Sequence, residues 1–311
     1  MFVPLISTPA AQLAKRKGGG GGGKGGGGGS SGGKGSSGGS SSGGGSVGST
    51  SRVPVSNLPA GKSSATAYGS GGGRPVTIPA GQPFAGRTTG GGTRNQVYGN
   101  TFYGSGYPGA SGLGVAGHGL PFAFWPIVWG GAAGVGAGAY LHESHEYGDP
   151  NNSSRPGGPM TQAHFVSNVT GSSFHVFSDN TTLASLIASI QSNCTAFDLN
   201  NSSSSATPAS YNGSDPSDPQ PESAVQYYRA SSVVLTLDGY NNTAAINGSA
   251  ANVNATPAAL PSGVDTTLLN CLNDTIGLGV PLLDAGVHWG PPQMRLLCLA
   301  WLAWVFSRSV L

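Results

Sequence analysis

The chain has 311 residues, of which 55 are glycine and only 8% are charged. So much glycine and so little charge exclude a large two-domain core, and one small folded domain is expected. The formal net charge of +2 conceals two opposite halves: ten of fourteen Lys and Arg precede residue 95, and all twelve Asp and Glu follow residue 142.

Residues 1–17, MFVPLISTPAAQLAKRK, are signal-like but degenerate: Pro4 and Pro9 interrupt a short apolar run, and the basic cluster Lys15, Arg16, Lys17 follows it rather than preceding it. Residues 18–118 are rich in Gly and Ser, then in Gly, Tyr, Thr and Pro, with no helical or alternating period. Burying too little apolar surface to offset the entropy of ordering glycine, this stretch reads as a disordered cationic arm. Its positive charge suits anionic lipid headgroups or anionic cell-wall polysaccharide, through weak and salt-sensitive contacts, and carries no motif for a specific nucleic acid. Two G-x-G-x-x-G spellings begin at Gly104 and Gly112, and Gly61-Lys62-Ser63 ends like a phosphate loop. None follows a buried strand, so no nucleotide cofactor is assigned.

Residues 119–141 run for 23 positions without a charge, long enough to cross a bilayer as a helix, which makes them a candidate transmembrane helix; their six glycines and two prolines leave open the alternative of a Gly-rich apolar linker packed on the domain. Gly130, Gly134 and Gly138 recur every fourth residue and would form one close-packing, self-associating face. Beyond it, His142, His145 and Glu146 would share a face if the helix continued, a weak pattern for a metal that lacks the spacing of zinc proteases. A polar stop flanking the apolar segment is the plainer reading.

Residues 160–284 carry the globular pattern. Ala163–Val166 and Phe174–Phe177 are strand-forming runs separated by Gly-Ser-Ser, a hairpin that would bring His164 near His175. Asp179 can cap a helix with Leu183, Leu186, Ile187 and Ile190 on one face, ending near Cys194. Pro221 and Glu222 would open a short second helix containing Ala224, Val225 and Tyr228. Val233–Leu237 read as a buried strand, and Asp265 can cap a last helix with Leu268, Leu269, Leu272 and Ile276. That helix would place Cys271 within reach of Cys194; the two cysteines either pair in an oxidising compartment or remain small buried side chains. Cys298 stands apart in the tail.

The tail, 285–311, follows small residues at Asp284, Ala285 and Gly286, with a short spacer and then an apolar run, Leu296 to Leu311, interrupted by Ser307, Arg308 and Ser309. This order matches a lipid-anchor signal, with Asp284 as the candidate attachment residue. Twelve Asn-x-Ser/Thr sequons fall between residues 151 and 275, at Asn151, Asn152, Asn168, Asn180, Asn193, Asn200, Asn201, Asn212, Asn241, Asn247, Asn254 and Asn273, and none precedes them. Chance would give roughly four, so the excess points to N-glycosylation in a secretory lumen.

Several segments, PFAFWPIVWG, YLHESHEYGDPNNSSRPGGPM, SNCTAF, ESAVQYYRASSVVLTLDGYNNT and DTTLLNCLNDTIG, resemble a family of uncharacterised fungal proteins with a Gly/Lys/Ser-rich N-terminus. The resemblance spans most of residues 70–284 and implies a secreted or membrane-attached surface protein. It supplies no activity to carry over.

The expected fold class is thus a mostly disordered Gly-rich N-terminal half and a small α+β C-terminal domain with a candidate transmembrane helix between them. The expected role is a non-enzymatic membrane- or wall-associated surface glycoprotein without cofactors. One alternative is a single-pass receptor or adhesion module with the arm in the cytoplasm. Another is an extracellular metal-binding protein or enzyme using His142 or His145.

Overall fold

A computed structural model describes residues 52–55, 63–81, 85–86, 88–90, 92–104, 124–130, 138–199, 203–211, 213, 215, 218–243 and 256–283. The strongest alternating run makes the first long strand, β5 (Met160–Val166), which turns back at Ser167–Ser172 into β6 (Ser173–Asp179). The pairing is antiparallel and in full register, from Met160 opposite Asp179 to Val166 opposite Ser173. Asp179 ends the strand and caps α3 (Asn180–Asn193): its Oδ1 accepts the Thr182 amide at 2.9 Å, the side-chain substitute for a missing helical partner.

The chain then returns through the two-residue strand β7 (Ala209–Ser210), β8 (Ala224–Tyr228) and β9 (Val233–Leu237) to α4 (Thr266–Gly279). Asp265 caps α4 by accepting from the Thr267 and Leu268 amides, and its other oxygen accepts the Ser167 hydroxyl at 2.6 Å. The sheet order is β7-β5-β6-β9-β8. The hairpin, the capped helices at Asp179 and Asp265 and the strand at Val233–Leu237 are as the sequence pattern indicates. The short helix expected from Pro221 is not there: Pro221–Ser223 make one 3-10 turn, and Ala224–Tyr228 continue as β8. All five β8 residues are buried, and a fully buried strand carries no alternation to distinguish it from a helix.

A sheet has two faces, and α3 and α4 cover one. Register puts Ala163, Phe165, Phe174, Val176, Leu235 and Leu237 on that side, beneath Leu183, Leu186, Leu272 and Ile276. The opposite face presents Met160, Phe177, Val234 and Tyr227, and these pack with Trp125, Ile127, Val128 and Trp129 in a second core.

That second core corrects the transmembrane reading of residues 119–141. Phe124–Gly130 are buried outside any helix or strand and pack on the sheet, and Ala139–His142 form a 3-10 turn. Among the described residues no helix is long and apolar enough to cross a membrane. Backbone buried outside any helix must be satisfied by other means than a helical ladder. The Ile127 amide donates to the Ser231 carbonyl at 2.8 Å, Trp129 N–H to the Leu141 carbonyl at 2.8 Å, and the Tyr103 hydroxyl to the Ile127 carbonyl at 2.9 Å. Arg155, itself buried, donates to the Pro126 carbonyl at 2.7 Å and to the Tyr147 carbonyl. Burial pushes its guanidinium down to about 10, against the opposing pull of the Asp179 carboxylate.

Gly130 and Gly138 therefore do not line one helix face: Gly130 is buried outside any helix, and Gly138 takes a left-handed φ of 82° ahead of the 3-10 turn. Gly134 lies outside the described residues. The described residues before it, 52–104, belong to the same compact unit as the sheet.

Part of the arm expected to be disordered, its described residues between 52 and 104, carries short strands and one helical turn. Residues β1 (Arg52–Pro54) and β2 (Ser64–Thr66) pair, as do β3 (Val76–Thr77) and β4 (Thr88–Thr89), and α1 (Arg94–Val97) follows. Val53, Val55, Ala65, Ala67, Ile78, Val97 and Tyr103 are buried. Sparse anchors suffice because glycine lets backbones approach closely: a Cβ on Gly99 would stand 2.4 Å from Gln226 Nε2 and 2.7 Å from the Tyr228 ring. Arg94 clamps this part to α4, donating to the Gly277 carbonyl at 2.8 Å and the Val280 carbonyl at 3.3 Å, where a helix leaves carbonyls unpaired. Residues 1–51, 105–123 and 284–311 lie outside the described residues, and with them the signal-like segment, the two G-x-G-x-x-G spellings beyond Gly104, Asp284 and the apolar tail.

Candidate functional site

Cross-strand register brings His164 directly opposite His175, with ring centroids 6.0 Å apart. They lie on the second sheet face, and both are half-buried. His164 Nδ1 is 2.9 Å from the Ser205 hydroxyl, while His175 Nε2 is 3.3 Å from Asp238 Oδ2 and its ring stacks on Phe177. Burial raises the Asp238 carboxyl, but its contacts with His175 outweigh this and hold it below the ordinary carboxylate range. A serine, two imidazoles and a carboxylate are all present, yet the serine bonds one ring and the carboxylate the other. Neither imidazole links a nucleophile to an orienting acid, which a Ser-His-Asp mechanism requires.

His142 and His145 do not form the face imagined for them. The turn Ala139–His142 breaks at Glu143 before α2 (Ser144–Tyr147), His142 Nδ1 sits 2.9 Å from the Trp129 carbonyl oxygen, and His145 is exposed on α2. Among the described residues no group of three or more His, Cys, Asp or Glu is placed to hold a metal ion.

Seven sequon asparagines are described. Asn151 and Asn152 lie in the loop before β5, Asn168 at the hairpin turn, Asn180 and Asn193 at the two ends of α3, and Asn241 after β9; all six are exposed. Asn152 Oδ1 accepts both the amide and the hydroxyl of Ser154, its own sequon serine, at 2.9 and 2.7 Å. Asn273 differs: it is half-buried on α4, and its Oδ1 accepts the Tyr228 hydroxyl at 2.7 Å. Asn200, Asn201, Asn212, Asn247 and Asn254 lie outside the described residues. Next to Asn193, Cys194 bonds Cys271, with Cα atoms 5.9 Å apart, tying the end of α3 to the middle of α4.

The most unusual chemistry is a buried charged hub that sequence reasoning missed. Arg229 is fully buried; it pairs with Asp179 at 3.2 Å, donates from Nε to Ser232 Oγ at 2.6 Å and from Nη1 to the Pro281 carbonyl at 3.0 Å, and lies 3.4 Å above the Phe124 ring. Burial drives its guanidinium down to about 9, while Asp179 pulls the other way. The residues linking β8 to β9 carry positive φ without any glycine: Arg229 at 47°, Ala230 at 52° and Ser231 at 63°. Each such residue costs on the order of 1–2 kcal/mol. A cation between YY and ASSVVL, where a hairpin turn calls for Gly or Asn, is the signal in the sequence that could have located this hub.

No family model, no curated protein and no solved structure matches this chain.

Proposed function

We propose that this chain is a non-enzymatic glycoprotein of the cell surface, made in the secretory pathway, whose α+β unit displays N-linked glycans. The observation that carries the reading is the exposure of six of the seven described sequon asparagines, spread over loops, a hairpin tip and both ends of α3. The Cys194–Cys271 bond fits the oxidising compartment in which such glycans are added. In this reading the apolar tail is exchanged for lipid at Asp284, and the ten early basic residues contact anionic wall polysaccharide.

The test is enzymatic removal of N-glycans from protein produced in its own secretory pathway, with site occupancy read by mass spectrometry. Mobility should increase, and Asn151 or Asn152, Asn168, Asn180, Asn193 and Asn241 should carry sugar. Asn273 should be bare, because its half-buried side chain on α4, pinned at Oδ1 by the Tyr228 hydroxyl, leaves Nδ2 poorly accessible. An unshifted band from a cytosolic fraction would overturn the proposal.

A further inference from the structure

The four residues Arg229–Ser232 join the edge strand β8 to its neighbour β9 through a turn that no glycine relieves, and two of the four are serines. Strain next to a hydroxyl is a chemical resource: a serine oxygen, two carbons beyond its own peptide nitrogen, can add to the preceding carbonyl carbon, and opening that bond releases the left-handed residues before it. Two further features single out one bond. The Ser231 carbonyl oxygen accepts the Ile127 amide at 2.8 Å, a donor placed where negative charge develops when that carbonyl becomes tetrahedral. The Ser232 hydroxyl oxygen accepts the Arg229 Nε–H at 2.6 Å and donates to the Arg229 carbonyl at 2.8 Å, so it is held in place by a cationic donor. The Ser231 hydroxyl is engaged elsewhere, accepting the Gly104 amide.

We propose that the chain cleaves its own backbone once, between Ser231 and Ser232. Ser232 Oγ adds to the Ser231 carbonyl carbon, its proton passes to the Ser232 nitrogen, and the C–N bond breaks. The product is an ester joining the Ser231 acyl group to Ser232 Oγ, with a free α-amine on Ser232. Water then adds to the ester carbonyl, returns the hydroxyl to Ser232 and leaves Ser231 as a new C-terminal carboxylate. Hydrolysis consumes one water and involves no oxidation. Three left-handed residues are released from their constraint, which drives the reaction forward. Ser231 and Ser232 are 0% and 2% exposed, so the turn is closed to an external protease and the cut is intramolecular.

The halves stay together. Cys194 and Cys271 lie on opposite sides of the cut, and β8 pairs with β9 through Tyr228 opposite Val233 and Tyr227 opposite Val234. The proposal rests on the turn alone and does not require glycans.

Full-length chain, prepared both from secreting eukaryotic cells and by refolding bacterial protein with the disulfide oxidised, is run with and without reductant and sequenced from its new N-terminus. One species is expected without reductant. With it, two are expected, the second beginning Ser232-Val233-Val234; in the bacterial chain this remainder is 80 residues long, since 311 − 231 = 80, and in the secreted chain it ends at Asp284 wherever the tail has been exchanged for lipid. Neutral hydroxylamine should accelerate the cut several-fold and leave a hydroxamate on Ser231. Ser232→Ala should give one uncut chain, with the disulfide verified by mass to show that it folds, and Ser232→Cys should still cut through a thioester. An intact chain under reduction, a different new N-terminus, or equal cutting of Ser232→Ala each overturns the proposal. If Ser232→Ala fails to fold, the mass and hydroxylamine response of the unaltered chain decide the matter alone.

Discussion

Asp179→Ala is the substitution that weighs the buried hub most directly. It removes two things at once. The first is the α3 cap at the Thr182 amide, worth about 1 kcal/mol. The second is the carboxylate that faces a fully buried guanidinium, and stripping one partner from such a pair costs about 3–5 kcal/mol. Arg229 retains the Pro281 carbonyl, the Thr182 and Ser232 hydroxyls and the Phe124 face, which favours the lower end of that range. A total of about 4 kcal/mol follows, or a fall in Tm of about 8–16 °C for a folded unit of this size. Urea unfolding followed by far-UV circular dichroism under oxidising conditions measures it, with the slope expected to stay unchanged. Asp179→Asn, which keeps a capping oxygen, should recover the cap alone. Adding Arg229→Met to Asp179→Ala should be less damaging than the sum of the two single changes, since the stranded charge is gone. A loss below about 1 kcal/mol for Asp179→Ala would refute the reasoning, because only a cap would then have been lost.

Opening the Cys194–Cys271 bond by Cys194→Ser with Cys271→Ser frees a separation of 77 residues in the unfolded chain, and chain entropy puts the loss at about 4–5 kcal/mol, read as the shift of the urea midpoint. Acid should destabilise the fold through Asp265. Its burial raises the carboxyl, but the Ser167 hydroxyl and the Leu268 and Thr267 amides outweigh this and hold it below its ordinary value. A depressed folded value means that stability is complete above about pH 4 and is lost as pH falls below it. Tm measured from pH 2 to 6 should show this limb, and Asp265→Asn should flatten it.

What was legible in the sequence is what local rules decide. Asp179 and Asp265 announce helix starts because an N-terminal turn lacks partners for its amides, and the apolar spacing after each fixes the buried face. The hairpin from Met160 to Asp179 shows in strand-forming runs around a Gly-Ser-Ser turn. Illegible were features that only tertiary context creates. Strands two or three residues long between glycines, such as Val76–Thr77, carry no period. Arg229 looks like a surface cation until Asp179, Pro281 and Phe124 close around it from distant parts of the chain. The histidine pair was foreseeable from register, but the partners Ser205 and Asp238 were not.

The apolar segment shows why absence of charge is an ambiguous sign. Lipid and protein interior both exclude charge, and they differ in what they demand of the backbone: lipid requires a continuous helix, whereas a core accepts a non-helical strap if neighbours supply hydrogen bonds. Pro121, Pro126 and the glycines from Gly130 onward make a poor helix. In the fold, Arg155, Tyr103 and Ser231 supply those bonds instead. Two helices cover only one face of the sheet, so Met160, Phe177 and Val234 would meet water without the strap. The strap grips the strained turn through Ile127 as it does so, and the covering of the second face and the constraint on Ser231 are therefore one structural event.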